Sequence, residues 1–192
     1  MADITSDAVS TPRSPASGPD QAIAETGHPA SRNAIPDADL LACVELLFFA
    51  YRDFTGGADA VLEEYGFGRA HHRVLHFVHR NPGMRVADLL DILKITKQSL
   101  ARVLKQLIDK GFIMQRAGND DRRERRLFVT AKGSRLAEKL TTQQSRHIEN
   151  ALLNAGPGAA DFARRFLFAM ITESDRPRVE ALVKLASGMR AR

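Results

Sequence analysis

Residues 94–113 read KITKQSLARVLKQLIDKGFI, and the two sides of this stretch differ in chemistry. Leu100, Val103, Leu104, Leu107 and Ile108 recur at i, i+3, i+4, i+7 and i+8, which predicts an amphipathic helix with one apolar stripe. The other side carries Lys97, Gln98, Arg102 and Lys105, with Asp109 as its one acid. Thr96 stands where an N-cap accepts a backbone hydrogen bond, and Lys110-Gly111 supplies the C-terminal stop. A basic face on a lone helix is usually just solvated, so its meaning depends on the elements around it.

Upstream, residues 86–93 (VADLLDIL) predict a short amphipathic helix, and residues 69–80 (RAHHRVLHFVHR) a longer one. Asn81-Pro82-Gly83 forces a turn between them. Residues 39–54 (DLLACVELLFFAYRDF) are strongly apolar over four turns. Gly56 and Gly57 are expected to end that helix, leaving residues 58–65 as a separate short piece stopped by Gly66. Downstream the period changes. Residues 112–116 and 126–130 are rich in β-formers, and AGNDDRRER between them holds turn residues, which predicts a two-stranded hairpin with a charged tip. Helix returns over residues 131–155, 159–172 and 175–186, with a break at Gly156-Pro157-Gly158.

Charge is unevenly spread along the 192 residues. The net charge is +5, but residues 1–37 carry Arg13 and Arg32 against five acids, while residues 94–126 hold ten Lys/Arg against four Asp/Glu. Such clustering is the electrostatic footprint of a polyanion partner. The first 36 positions hold five of the eight prolines and no apolar periodicity, which predicts a disordered acidic tail over residues 1–37. That tail lacks the apolar core of a secretion signal, and no apolar run reaches the roughly 18 residues of a membrane span. A lone cysteine excludes an internal disulfide framework, so the cytoplasm and nucleoid are the expected compartment.

Two short helices, a basic helix and a hairpin make a winged helix-turn-helix. The fold class is therefore mainly α with a small two-stranded β-wing, flanked by N- and C-terminal helices. If residues 86–93 pack across the basic helix and consume its stripe, only the basic face stays free, and it has the width to enter a DNA major groove. The wing beside it carries Arg122, Arg123, Arg125 and Arg126.

These residues resemble the MarR family of bacterial transcription regulators over about residues 40–140. The likeness rests on NPGMRVADLLDILKITKQSLARVLKQLIDKGFI, on the wing NDDRRERRLFVT and on the AKG that follows. A narrower likeness, to a PetP/LdtR-like subgroup, rests on GRAHHRVLHFVHRNPG and KITKQSLARVLKQL. Many members have glycine where this chain has Lys94, so the turn before the basic helix is expected either to do without positive φ or to carry modest strain at Lys94. The resemblance implies a homodimer joined through its terminal helices. Its operator would be an inverted repeat in double-stranded DNA, with recognition helices roughly 34–36 Å apart.

The implied organisation is a tail (1–37), an N-terminal dimerisation helix with a short helix (38–66), the winged domain (67–132) and C-terminal dimerisation helices (133–192). Helix 96–110 would read the major groove and wing 116–126 the minor groove. The residues expected at DNA are Thr96, Lys97, Gln98, Ser99, Arg102, Lys105, Arg116, Asp121, Arg122, Arg123 and Arg125, with Asp121 holding the hairpin tip. The family further implies a repressor released by a small-molecule or stress signal. Its usual effector is a small aromatic or phenolic acid in a crevice between the dimer helices and the winged domain, with Tyr51, Arg52, Phe54, His72 and His76 as candidate lining.

Other signals are weaker. His72 and His76 have the i, i+4 spacing of paired metal ligands, but no Cys, Asp or Glu cluster completes a set, so neither metal nor cofactor is implied. Cys43 lies among Leu40, Val44 and Leu47 and is expected to be a small buried hydrophobe, with a peroxide-sensing thiol as the rival reading. No phosphate loop, nucleophile motif or carboxylate pair points to an enzyme. The competing class is a winged helix that docks an acidic protein on its basic face.

Overall fold

The computed structural model describes residues 35–118 and 124–188. The tail reading for residues 1–34 and the wing-tip residues Asp121, Arg122 and Arg123 lie outside them. The chain divides into two compact units, Met1–Leu40 and Leu41–Arg192. In the first, the described residues open a helix in which the Pro36 carbonyl accepts the Asp39 and Leu40 N–H groups.

That helix, α1 (Asp37–Glu63), runs unbroken through Gly56 and Gly57, where a stop was expected. The cause is tertiary. Thr55, Ala58 and Leu62 are buried on both sides of the glycine pair, so the helix continues along the core. Their burial outweighs about 1 kcal/mol of helix propensity lost per glycine. There follow α2 (Arg69–Arg80), β1 (Met84–Arg85), α3 (Val86–Leu93), α4 (Lys97–Asp109), β2 (Ile113–Ala117), β3 (Arg125–Val129) and α5 (Ala131–Ala155). After these come α6 (Ala159–Ala169), a 3-10 turn at Glu173–Asp175 and α7 (Arg176–Gly188).

The sheet has three strands, not the two expected, in the antiparallel order β1-β3-β2. Met84 pairs with Leu127 and Arg85 with Arg126, while the Gly83 N–H donates to the Leu127 carbonyl at 2.8 Å. Two residues between a glycine turn and a helix are too short to show a period of two. β1 therefore exists only because β3 offers it an open edge.

The core gathers Val74, Leu75 and Val78 of α2, Leu89 and Leu93 of α3, Leu100, Leu104 and Leu107 of α4, Ile113 and Leu127 of the sheet, and Leu136 and Leu140 of α5. Full burial of each such side chain contributes about 1.5–3 kcal/mol. Gly133 explains why α5 can begin so close to the sheet. A Cβ at that position would run into the Phe112 carbonyl oxygen. Beside it, the Thr130 hydroxyl caps α5 by accepting the Gly133 N–H and donates to the Gly111 carbonyl at 2.7 Å.

Two apolar surfaces stay open on the single chain. On α1 these are Leu41, Val44 and Phe48, the last 68% exposed; on α6 they are Phe162 and Phe166, with Phe162 65% exposed. Among the described residues no helix is long and apolar enough to cross a membrane.

Candidate nucleic-acid interface

The recognition element is fixed by its apolar side. Leu100, Val103, Leu104 and Leu107 of α4 are buried, and the elements running closest to them are α2 and β2. α3, expected to lie across α4, contributes Leu89 and Leu93 to the same core but runs less close to it. A buried polar tie adds register. The Gly68 N–H donates to His71 Nδ1 at 3.1 Å, so Nε2 carries the hydrogen and donates to Gln106 Oε1 on α4. His71 also stacks on Phe67 with ring centroids 4.7 Å apart, which holds the imidazole plane.

The opposite face of α4 presents Thr96, Lys97, Gln98, Ser99, Arg102 and Lys105, all exposed. They are not equivalent. Thr96 Oγ1 accepts the Ser99 N–H at 3.1 Å and donates to the Ser99 hydroxyl at 2.9 Å, so both hydroxyls are engaged in capping. Lys105 is tied one turn on to Asp109. Lys97, Gln98 and Arg102 have no hydrogen-bond or ion-pair partner among the described residues. These three are the side chains the helix offers outward.

Of the two forms expected with Lys94 in place of glycine, the turn into α4 takes the strained one. Lys94 sits at φ 51°, ψ 42°, in the left-handed region, and is the one non-glycine residue there among the described residues. Its Nζ pairs with Asp175 at 3.1 Å, and Arg178 of α7 pairs with Asp91 at 3.2 Å. The C-terminal segment is thus tied across the start of the recognition turn.

At the base of the wing, the pairing register sets Arg85, Arg126 and Arg116 side by side across β1, β3 and β2. Directly opposed like charges destabilise a sheet. Glu124 relieves them by accepting from Arg126 at 3.0 Å and Arg85 at 3.4 Å, and Asp88 accepts from Arg85 at 2.8 Å. The Arg85 guanidinium in turn holds the Asp88 carboxyl below the usual carboxylate range. Arg116 is left over the Phe128 ring, 5.1 Å from its centroid, and Arg125 is exposed without a partner among the described residues. Arg85 escaped the sequence reading, because its role depends on a strand pairing and on a carboxylate 39 positions away.

The expected effector residues do not converge. Phe54 and His76 share a cavity of about 750 Å³ with Ile148 and Leu152, but Tyr51, Arg52 and His72 do not line it. Tyr51 lies under the Arg69 guanidinium, and Arg52 pairs with Asp53 at 2.8 Å, holding that carboxyl low. At 100° per residue, Arg52 turns away from the core side of α1 on which Thr55, Ala58 and Leu62 are buried, while Tyr51 shares that side one turn before the burial begins. Burial lowers the His72 pKa and pushes His76 down to about 4, with His72, Arg80 and His79 adding to the shift at His76. Cys43 is exposed, not buried, because the apolar neighbours that suggested burial are themselves on the open face of α1. No group of three or more His, Cys, Asp or Glu among the described residues is placed to hold a metal.

The MarR family model (MarR_2) matches residues 65–124, which hold α2, β1, α3, α4 and β2 and stop before β3. The HTH-type transcriptional regulator PetP of Rhodobacter capsulatus is 41% identical over 162 residues, covering 83% of this chain and 98% of PetP. The chain belongs to the MarR family. It is a transcription regulator of the winged helix-turn-helix type, and its relatives are regulators, not enzymes. Among solved structures, the regulator SlyA superposes with a TM-score of 0.58 at 17% identity, covering 74% of this chain and 96% of SlyA. A mutant MarR from E. coli, solved in complex with operator DNA, gives 0.56 at 14% identity, covering 72% of this chain and all of that one. At these identities the two structures speak for the fold.

Proposed function

We propose that this MarR-family protein acts as a homodimer on an inverted-repeat operator, as a repressor released by a small-molecule or stress signal. Residues 96–110 would lie in the major groove and the wing, residues 116–126, at the minor groove. The observation that carries the reading is the pinned helix α4. Its apolar side is consumed by the core, and Lys97, Gln98 and Arg102 are exposed without partners among the described residues. The MarR mutant bound to operator DNA supports it by likeness of fold. The exposed apolar faces of α1 and α6 support the dimer, since large apolar side chains clustered on an open helix face mark an association surface. On this reading residues 38–66 and 133–192 are the dimerisation segments and residues 67–132 the DNA-binding domain.

Arg102 is assigned to base reading and Arg125 to phosphate contact. Arg102→Ala is expected to cost about 1–3 kcal/mol on the operator and to flatten preference at one base pair per half-site. Arg125→Ala should weaken binding to operator and scrambled duplex alike, lowering the slope of log K against log salt by about one per subunit. Fluorescence anisotropy across a salt series, on DNA selected by the protein from its gene's upstream region, reads both. If both variants fold and neither changes affinity, the basic face is not a DNA-reading surface, and docking of an acidic protein becomes the better reading.

A further inference from the structure

The buried tie between α2 and α4 does more than helix capping requires. At the start of α2, His71 Nδ1 accepts the Gly68 N–H at 3.1 Å, and any side-chain acceptor of similar reach would serve that cap. Capping leaves the second ring nitrogen unexplained. Nε2 reaches Gln106 Oε1 on α4, 35 positions later, from a side chain that is only 9% exposed. The ring that carries it is held on its face. It stacks on Phe67 with 4.7 Å between centroids and 16° between planes, and Phe67 stands edge-on to Phe112 at 5.1 Å. The donor is therefore fixed in direction as well as in place. Gln106 lies one helical turn beyond Arg102, at i+4, so the tie grips α4 beside a guanidinium that has no partner among the described residues.

We propose that His71 and Gln106 are positioning residues for sequence discrimination, setting the orientation of α4 at which Arg102 meets a base edge. The role rests on the reading of the protein as a DNA-binding regulator. Apolar packing is non-directional, and ridges set in grooves leave helix orientations scattered by about 15–20°. A turn of about 15° about the axis carries a guanidinium about 6 Å out through about 1.5 Å. A two-bond contact with guanine tolerates about 0.5 Å, the spread of good N–H···O distances. The stripe Leu100–Val103–Leu104–Leu107 thus holds α4 on the core, but a directional bond from a fixed ring is needed to set its angle that finely. Phosphate contacts ask less, because a cation on a flexible stem reaches a phosphate from many positions and reads no sequence. The tie therefore matters for telling one duplex from another and not for binding duplexes in general.

Gln106→Met tests this in the full-length protein. Methionine keeps the length of glutamine, removes the acceptor and leaves the cap of α2 intact; Gln106→Leu serves if the methionine variant fails to fold. Anisotropy on the selected operator and on a scrambled duplex should show their affinity ratio falling about five- to a hundred-fold, the discrimination that one two-bond arginine contact supplies. Affinity for the scrambled duplex and its salt slope should stay as in the wild type. Gln106→Glu keeps an acceptor in place, so its charge should weaken both duplexes while preserving their ratio. The deciding readout is the Arg102→Ala background. There Gln106→Met should change the ratio no further, whereas a mere loss of packing would act in either background. An unchanged ratio in Gln106→Met, or a full additional loss on top of Arg102→Ala, overturns the proposal. A wild type that binds no duplex, or binds operator and scramble alike, refutes the regulator reading instead.

Discussion

Lys94→Gly tests what holds the turn that aims the recognition helix. Lys94 occupies the left-handed region at φ 51°, where a side chain with a Cβ costs about 1–2 kcal/mol. Glycine removes that cost but enlarges the freedom of the unfolded chain, returning about 0.4–1 kcal/mol. The substitution also deletes the ion pair to Asp175. The Lys94 and Asp175 side chains are 63% and 34% exposed, and pairs this open contribute about 0.2–1 kcal/mol. The balance runs from about 1 kcal/mol of destabilisation to about 1.4 kcal/mol of stabilisation and centres near neutral. Asp175→Asn alone should cost no more than about 1 kcal/mol, and in the Lys94→Gly background it should cost almost nothing. Urea unfolding of the wild type, both single variants and the double variant gives the coupling directly. Raising the salt should favour Lys94→Gly further, because only the ion pair is screened. A loss above about 1.5 kcal/mol in Lys94→Gly, with coupling to Asp175 of the same size, would refute this reasoning. The ion pair would then dominate and the backbone strain would be minor.

Two further substitutions probe the scaffold. Gly133→Ala should destabilise the protein by about 1–3 kcal/mol in urea despite alanine's better helix propensity, because the new Cβ meets the Phe112 backbone carbonyl and not a yielding side chain; a stabilised variant would show that α5 can lift away. His76 is held neutral in the fold, its pKa lowered from 6.5 to about 4, whereas the unfolded chain takes up the proton near 6.5. Stability present above pH 6.5 should therefore fall as pH drops from 6.5 toward 4, by at most about 3 kcal/mol and less after solvent screening. The difference between wild type and His76→Gln in urea at pH 7, 5.5 and 4.5 isolates this contribution, and parallel pH profiles would refute it.

What could be read in the chain was local. The stripe Leu100–Val103–Leu104–Leu107, the turn at Asn81-Pro82-Gly83 and the cap at Thr96 each work over a few residues, and α2, α3 and α4 formed where they predict. At Lys94 the sequence left a choice between a turn without positive φ and modest strain, and the chain adopts the strained turn. The misreadings depended on distant partners. Gly56-Gly57 reads as a stop until Ala58 and Leu62 are known to reach the core. β1 needs β3, 40 or more positions later, and Asp175 lies 81 positions from Lys94. Of the expected effector residues, Phe54 and His76 line one cavity, while Tyr51 lies under the Arg69 guanidinium and Arg52 pairs with Asp53.

The same distinction changes the meaning of the basic cluster between Lys94 and Arg126. As a string of charges it suggests a uniform polyanion surface, yet much of it is already committed. Lys94 is paired with Asp175, Lys105 with Asp109 and Arg126 with Glu124, while Lys110 donates to the Tyr65 carbonyl and lies over the Phe67 ring. Among the described residues the uncommitted cations are Lys97 and Arg102 on α4 and Arg125 on the wing, while Arg116 lies over the Phe128 ring and donates to Met114 Sδ at 3.5 Å. Committed cations hold the turn, the helix end and the sheet at fixed angles, and that fixing is what lets the free ones act as two separate contacts. The formal charge of the segment therefore overstates how many phosphates it can neutralise. On the proposed reading, specificity would depend on the paired cations as much as on the free ones, since they hold the helix from which Arg102 would reach a base edge.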